Sequence, residues 1–219
     1  MLGVIFDFDG VIADSEGLHF RAFQRTLEEH GASLTERDYY ERYLGFADRE
    51  VFDHVARERG EPLSRVELEA MVAAKGRTYA SLITEGPALC RGAADAIHRL
   101  SQHFPLGIAS AAFGHEIVQV LERAGLRSHF KTIVGVEDVA ESKPSPAPYL
   151  EAAKRLGVPP ASRVAIEDSP WGLESALRAG LKAIGVTHTY RAPQLAAAHV
   201  VIDSLDALTE PFVRGLFSR

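Results

Sequence analysis

With 219 residues the chain amounts to roughly one and a half domains, too long for a disulfide-stapled mini-protein and long enough to bury a core. Its 46% hydrophobic and 25% charged residues are globular averages, which excludes a disordered chain. Against 30 acidic residues stand 24 basic ones, a net charge of −6, so nucleic acid is not the expected partner and any anion must be met by local cations or a metal.

The first expected element is the apolar run from Leu2 to Phe8, which ends in charge as a buried parallel strand does, with a turn at Asp9-Gly10. The run reaches Asp7 before a secretory hydrophobic region could form, and no apolar stretch nears the ~18 residues of a membrane helix. From about residue 15 to 84, helical signals dominate. Leu18, Ala22, Phe23 and Leu27 recur at helical spacing, and Gly31 stops them. Thr35 with Asp38 and Ser64 with Glu67 read as capping boxes, the second opening a helix through Leu68, Val72 and Tyr79. Asp48 reads as the cap of a helix carrying Val51, Phe52 and Val55 that ends near Gly60. Gly86-Pro87 closes the region. Cys90 is the only cysteine, which rules out an intrachain disulfide and fits a small buried apolar residue. The expectation is a soluble cytoplasmic protein with no membrane contact, monomeric by default.

Beyond this point strand and helix alternate. A helix around Ala93 to Leu100 precedes the run Leu106 to Ser110, and a helix around Glu116 to Ala124, stopped by Gly125, precedes Thr132 to Val136. A helix around Tyr149 to Leu156 leads to Val164 to Ile166. One around Leu173 to Ala179, stopped by Gly180, leads to Ala183 to Val186 and then Val200 to Ile202. The pattern predicts an α/β fold: a Rossmann-like parallel sheet core with helices on both faces, over residues 1–14 and 85–219, plus an inserted all-helical domain over 15–84. An insertion joined by two linkers can move as a lid, with hinges near Ser15 and near Thr84 to Pro87.

In open α/β sheets, ligands bind where strand order reverses, at the carboxyl ends of the strands. Four such ends carry polar residues: Asp7 and Asp9 after the first run, Ser110 after the second, the loop with Lys143, and Glu167-Asp168. Asp7 and Asp9, two apart, share a side while the chain is extended. Either acidic pair alone reads as a cap or turn, but two pairs each ending a strand read as a metal site. The donors are hard oxygens without a histidine cluster, which suits Mg2+. Ser110, with the backbone N–H groups that follow it, and Lys143 supply donors and charge for a phosphate. Gly114 permits a tight turn, and Trp171 reads as a packing residue at the sheet edge.

Asp7-Phe8-Asp9-Gly10-Val11, Ser110, Lys143-Pro144 and Glu167-Asp168-Ser169 with Gly172 resemble, in order, the four motifs of the haloacid dehalogenase superfamily, and the helical insertion sits where its β-phosphoglucomutase-like branch carries a cap. The resemblance implies a Mg2+-dependent phosphatase acting on a small phosphorylated metabolite such as a sugar phosphate. Asp7 would be the nucleophile that becomes an aspartyl phosphate, and Asp9 the general acid and base. Mg2+ would be held by Asp7, the Asp9 carbonyl and Asp168, with Glu167 acting through water. Ser110, Ala111 and Lys143 would hold the phosphoryl group. His19, Arg49 and Lys75 are the cap residues implied to meet the substrate, Lys75 with Tyr79 keeping the mutases' Lys-x-x-x-Tyr spacing. Two departures stand out: the Arg49 loop lacks its usual polar character, and Ala112-Phe113 replaces the small polar residue and lysine of the mutases. A phosphomutase is the alternative, and a non-enzymatic phosphoaspartate switch a more distant one.

Overall fold

Val4 and Phe6 point to one side of the first strand and Ile5 to the other, and this period of two splits the core into two layers. The computed structural model describes residues 2–44, 46, 48–84, 88–159 and 162–218. The chain divides into two compact units, one of Met1–Asp14 with Ala88–Arg219, the other of Ser15–Pro87.

The first unit holds strands β1 (Gly3–Phe6), β2 (Ala13–Asp14), β3 (Ala88–Leu89), β4 (Leu106–Ala109), β5 (Phe130–Val134), β6 (Arg163–Glu167), β7 (Lys182–Val186) and β8 (Val200–Ile202). Six of them form one parallel sheet in the order β5-β4-β1-β6-β7-β8. The chain runs outward from β1 through β4 to β5 and then resumes on the other side of β1 at β6, so the order reverses at β1.

The second unit is built from α1 (Glu16–Glu29), the stub α2 (Glu36–Asp38) with a π-turn over Tyr39–Tyr43, α3 (Asp48–Glu58) and α4 (Arg65–Thr84). Helices α5 (Ala93–Ser101), α6 (Gly114–Arg123), α7 (Ala147–Leu156), α8 (Pro170–Arg178) and α9 (Glu210–Gly215) return to the first unit. Ile97 and Leu100 of α5 and Ile117 and Leu121 of α6 pack with Val4, Phe6, Ile108 and Ile166. Tyr149 and Ala152 of α7 and Leu173 and Ala176 of α8 pack with Ile5, Ala109 and Ala165 on the other face. Burying each such large apolar side chain contributes roughly 1.5–3 kcal/mol. The helical unit closes on its own core of Phe23, Leu27, Phe52, Leu68 and Met71, with the Phe23 and Phe52 rings 5.2 Å apart, edge to face.

The expected capping box at Ser64 forms in both directions, the Ser64 N–H donating to Glu67 Oε2 (2.7 Å) and the Glu67 N–H to Ser64 Oγ (3.3 Å). At Thr35 the Asp38 N–H donates to Oγ1 (3.0 Å), but the second bond runs from the Thr35 hydroxyl to Asp38 Oδ2 (2.6 Å), a simple cap. Four other expectations need correction. Strand β1 ends at Phe6, because the Gly10 N–H donates to the Ala13 carbonyl and the Ile12 and Ala13 N–H groups to the Phe8 carbonyl, closing a turn. Strand β5 starts two residues early, at Phe130, whose ring meets Phe6 edge to face at 6.0 Å; Val136 falls in a 3-10 turn. Asp48 lies inside α3 as its first residue, and its carboxylate serves Lys75. Trp171 is 55% exposed, since α8 turns Gly172, Leu173 and Ala176 inward and leaves Trp171 outside. The pair β2–β3, antiparallel with Ala13 beside Leu89, was not expected from the sequence. Of the second expected hinge, Thr84 to Pro87, Thr84 ends α4 and residues 85–87 lie outside the described residues. No described helix is long and apolar enough to cross a membrane.

Candidate active site

The reversal of strand order puts the carboxyl ends of β4, β1 and β6 side by side, and these ends carry Ser110, Asp7 and Glu167-Asp168. The sheet ladder fixes their heights: the Asp7 N–H donates to the Ile166 carbonyl (2.9 Å) and the Ser110 N–H to the Val134 carbonyl (3.0 Å). Carboxylate oxygens of Asp7, Glu167 and Asp168 all lie within 4.8 Å of one another, and all three residues are buried. The turn at Gly10–Ile12 takes Asp9 out of this cluster. Its Oδ2 lies at the limit of hydrogen bonding, 3.4 Å, from Ser110 Oγ, which also accepts the Ala112 N–H (3.0 Å).

Lys143 closes the cluster. Its Nζ stands 2.8 Å from Asp7 Oδ1 and donates to Glu167 Oε1 at 2.7 Å, over the Tyr149 ring. Glu167 is wholly enclosed. The Tyr149 hydroxyl donates to its Oε1 (2.7 Å) and the Ser169 hydroxyl to its Oε2 (3.2 Å), while Ser169 Oγ caps α8 by accepting the Gly172 N–H (3.0 Å). A Cβ on Gly172 would lie 1.9 Å from Glu167 Oε1, so glycine here leaves room for the carboxylate.

Burial, and then the Glu167 carboxylate, push Asp7 well above the carboxylate range; the same two causes raise Asp168 to about 7. Burial pulls the Lys143 ammonium down, but Asp7 and Glu167 outweigh it and hold it above the ordinary lysine value. Three carboxylates beside one ammonium leave two negative charges in excess, and clustered like charges keep their protons unless a cation compensates. An all-oxygen donor set with that excess fits a hard divalent ion.

Ala111 is exposed in the bend after β4. Gly114 opens α6 without a left-handed backbone; its N–H donates to Glu137 Oε1 (2.9 Å), which a Cβ would crowd. Within the helical unit, Lys75 Nζ donates to His19 Nδ1 and to Asp48 Oδ1, both at 2.8 Å, and His19 stacks on Tyr79 at 4.2 Å. Burial and the Lys75 charge lower His19 to about 3, so its ring is neutral near pH 7. Arg49 is exposed on the first turn of α3. Cys90 is half-buried, its thiol pushed up to about 12 by burial.

Sequence reasoning missed Tyr149, His188 and Thr189. Tyr149 reads as an apolar helix position, with nothing local to mark its hydroxyl's partner. His188 and Thr189 follow the apolar run of β7, so the rule that found Asp7 and Ser110 applies to them as well.

The family model described as haloacid dehalogenase-like hydrolase matches residues 4–186. The phosphorylated carbohydrates phosphatase of Thermotoga maritima is 34% identical over 86% of this chain and 87% of its own. The β-phosphoglucomutase of Bacillus subtilis is 31% identical over 96% of this chain and 93% of its own. Among solved structures, CbbY from Rhodobacter sphaeroides in complex with phosphate superposes with a TM-score of 0.77 at 31% identity, covering 98% of this chain and 100% of that one.

Proposed function

The chain belongs to the haloacid dehalogenase-like hydrolase family, and on that footing we propose that it is a Mg2+-dependent phosphoric monoester hydrolase acting on a small phosphorylated metabolite, a sugar phosphate. One observation carries the reading: a buried ammonium, Lys143, stands between Asp7 and Glu167 with Asp168 alongside and Ser110 on the neighbouring strand end. Phosphate monoesters hydrolyse so slowly that accelerations up to ~10²¹ are needed, and an anionic nucleophile approaching an anionic ester needs positive charge at hand.

In this mechanism the Phe8 N–H and Lys143 Nζ orient Asp7 through Oδ1, and Oδ2 attacks phosphorus. The ester P–O bond breaks, and Asp9 gives its proton to the leaving alkoxide. Asp9 then takes a proton from water, whose oxygen attacks the aspartyl phosphate; inorganic phosphate leaves and the Asp7 carboxylate returns. Lys143, the Ser110 hydroxyl and the Ala111 N–H hold the phosphoryl oxygens throughout. Asp7, Asp168 and the Asp9 carbonyl would hold Mg2+, with Glu167 acting behind through water; when bound, the ion offsets the charge of the phosphoryl group. Glu167 has its own duty, since its oxygens are spoken for by Lys143, Tyr149 and Ser169. By the same family resemblance, the helical unit selects the substrate through His19, Arg49 and Lys75, of which Arg49 is exposed while Lys75 is buried against His19 and Asp48.

The test is phosphate release from p-nitrophenyl phosphate with Mg2+, followed by a phosphometabolite panel. Sustained turnover that vanishes in Asp7→Asn supports the proposal; a single labelling event without turnover would mean a phosphoaspartate switch. A mutase reading draws on the similarity to a β-phosphoglucomutase. Against it, Phe113, 49% exposed, stands where the mutases carry a lysine. Supplying a hexose 1-phosphate with a trace of bisphosphate separates the two: a mutase accumulates the 6-phosphate, a phosphatase free phosphate.

A further inference from the structure

The loop after β7 reaches the site from an unexpected direction. Strand β7 is separated from β1 by β6, so this loop must pass the end of β6 to touch anything that follows β1. It does so with two consecutive residues. His188 Nδ1 lies 2.8 Å from the Gly10 carbonyl, and since a carbonyl only accepts, the ring carries its proton on Nδ1. Thr189 gives a hydrogen bond to the Asp168 carboxylate. Gly10 sits where both contacts meet: its φ is +71°, and a Cβ there would lie 1.9 Å from Asp168 Oδ2 and 2.7 Å from Thr189 Oγ1. The turn that carries Asp9 therefore has no side chain of its own at this point.

We propose that His188 and Thr189 are positioning residues: His188 fixes the Gly10 turn, and through it the backbone and side chain of Asp9, while Thr189 aims Asp168. The inference rests on the phosphatase reading only for its kinetic arm. Asp9 has to change proton partners twice per turnover, and a turn free to rock would misplace it at both steps. Closure of the turn by the Gly10 N–H and Ala13 N–H bonds fixes its own shape, whereas the histidine fixes it against the rest of the sheet.

The decisive comparison sets His188→Leu beside His188→Asn, because asparagine keeps an N–H donor near the place of Nδ1. Amide hydrogen exchange over residues 10–13, read by mass spectrometry, should quicken about tenfold in His188→Leu and return towards the starting value in His188→Asn, with strands β4 and β5 unchanged. In the kinetic arm, kcat should fall roughly tenfold in His188→Leu with KM little changed, and recover in His188→Asn. Unchanged exchange at 10–13, or a rise spread equally over β4 and β5, would overturn the positioning role. Failure of the wild-type chain to release phosphate from any ester would remove the phosphatase reading alone, and the exchange comparison would still decide this one.

Discussion

A single ammonium, Lys143, serves two buried carboxylates, and its removal should be felt twice. Lys143→Met is expected to lower kcat/KM by roughly 10²–10³, as loss of one charge-stabilising donor does in comparable sites. It also leaves Asp7 without the charge that opposes its upward shift, so the folded state retains a proton that the unfolded chain would release. Thermal melts of the metal-free variant should then show stability falling more steeply between pH 5 and 8 than in the wild type. Asp9→Asn should behave differently: turnover slowed by roughly 10²–10⁴ with substrate binding largely kept, read from kcat and from a binding isotherm. At this scale the sequence disclosed Asp7, Ser110, Glu167 and Asp168, whose position follows from strand ends, and Lys143 in the loop between β5 and α7. It did not disclose who holds them. Tyr149 and Thr189 meet Glu167 and Asp168 through the packing of α7 and β7, and no spacing along the chain encodes that.

Helix α8 is started by the same residues that enclose Glu167. Ser169→Ala removes its cap and one donor to the carboxylate, and should cost about 1 kcal/mol, measured by urea unfolding. Gly172→Ala should cost much more, because the new methyl would occupy the space of Glu167 Oε1; either α8 shifts or the carboxylate leaves its donors. Strands and long helices were legible because burial imposes a period of two or of 3.6 on apolar residues. The turn at Asp9-Gly10 was legible too, but its closure on Phe8 and Ala13 was not. Phe8, Val11 and Ile12 are buried on either side of it, and Gly10, with its positive φ, marks where the backbone turns back.

For the molecule as a whole, the acidic cluster ties stability to pH and, on the proposed reading, to Mg2+. Asp168 rises from the ordinary 3.8 to about 7, and Asp7 rises too, so the folded chain binds more protons than the unfolded one across that window. Stability of the metal-free protein should therefore fall as pH climbs through it. On the proposed reading Mg2+ would replace those protons, so its addition should raise the melting temperature little at pH 5 and markedly at pH 8; at a hundred times Kd the gain is about 2.7 kcal/mol. A shift equal at both pH values would count against the cluster as the binding site. The helical unit was visible as a change of texture near residues 15 and 84, yet β2 and β3, at its doorway, were too short to leave a pattern. That doorway has a consequence. Ala13 and Leu89 are neighbours across one antiparallel rung, so the chain departs and comes home about 5 Å apart. Whatever is spliced between these two points, long or short, closes on itself without stretching the sheet.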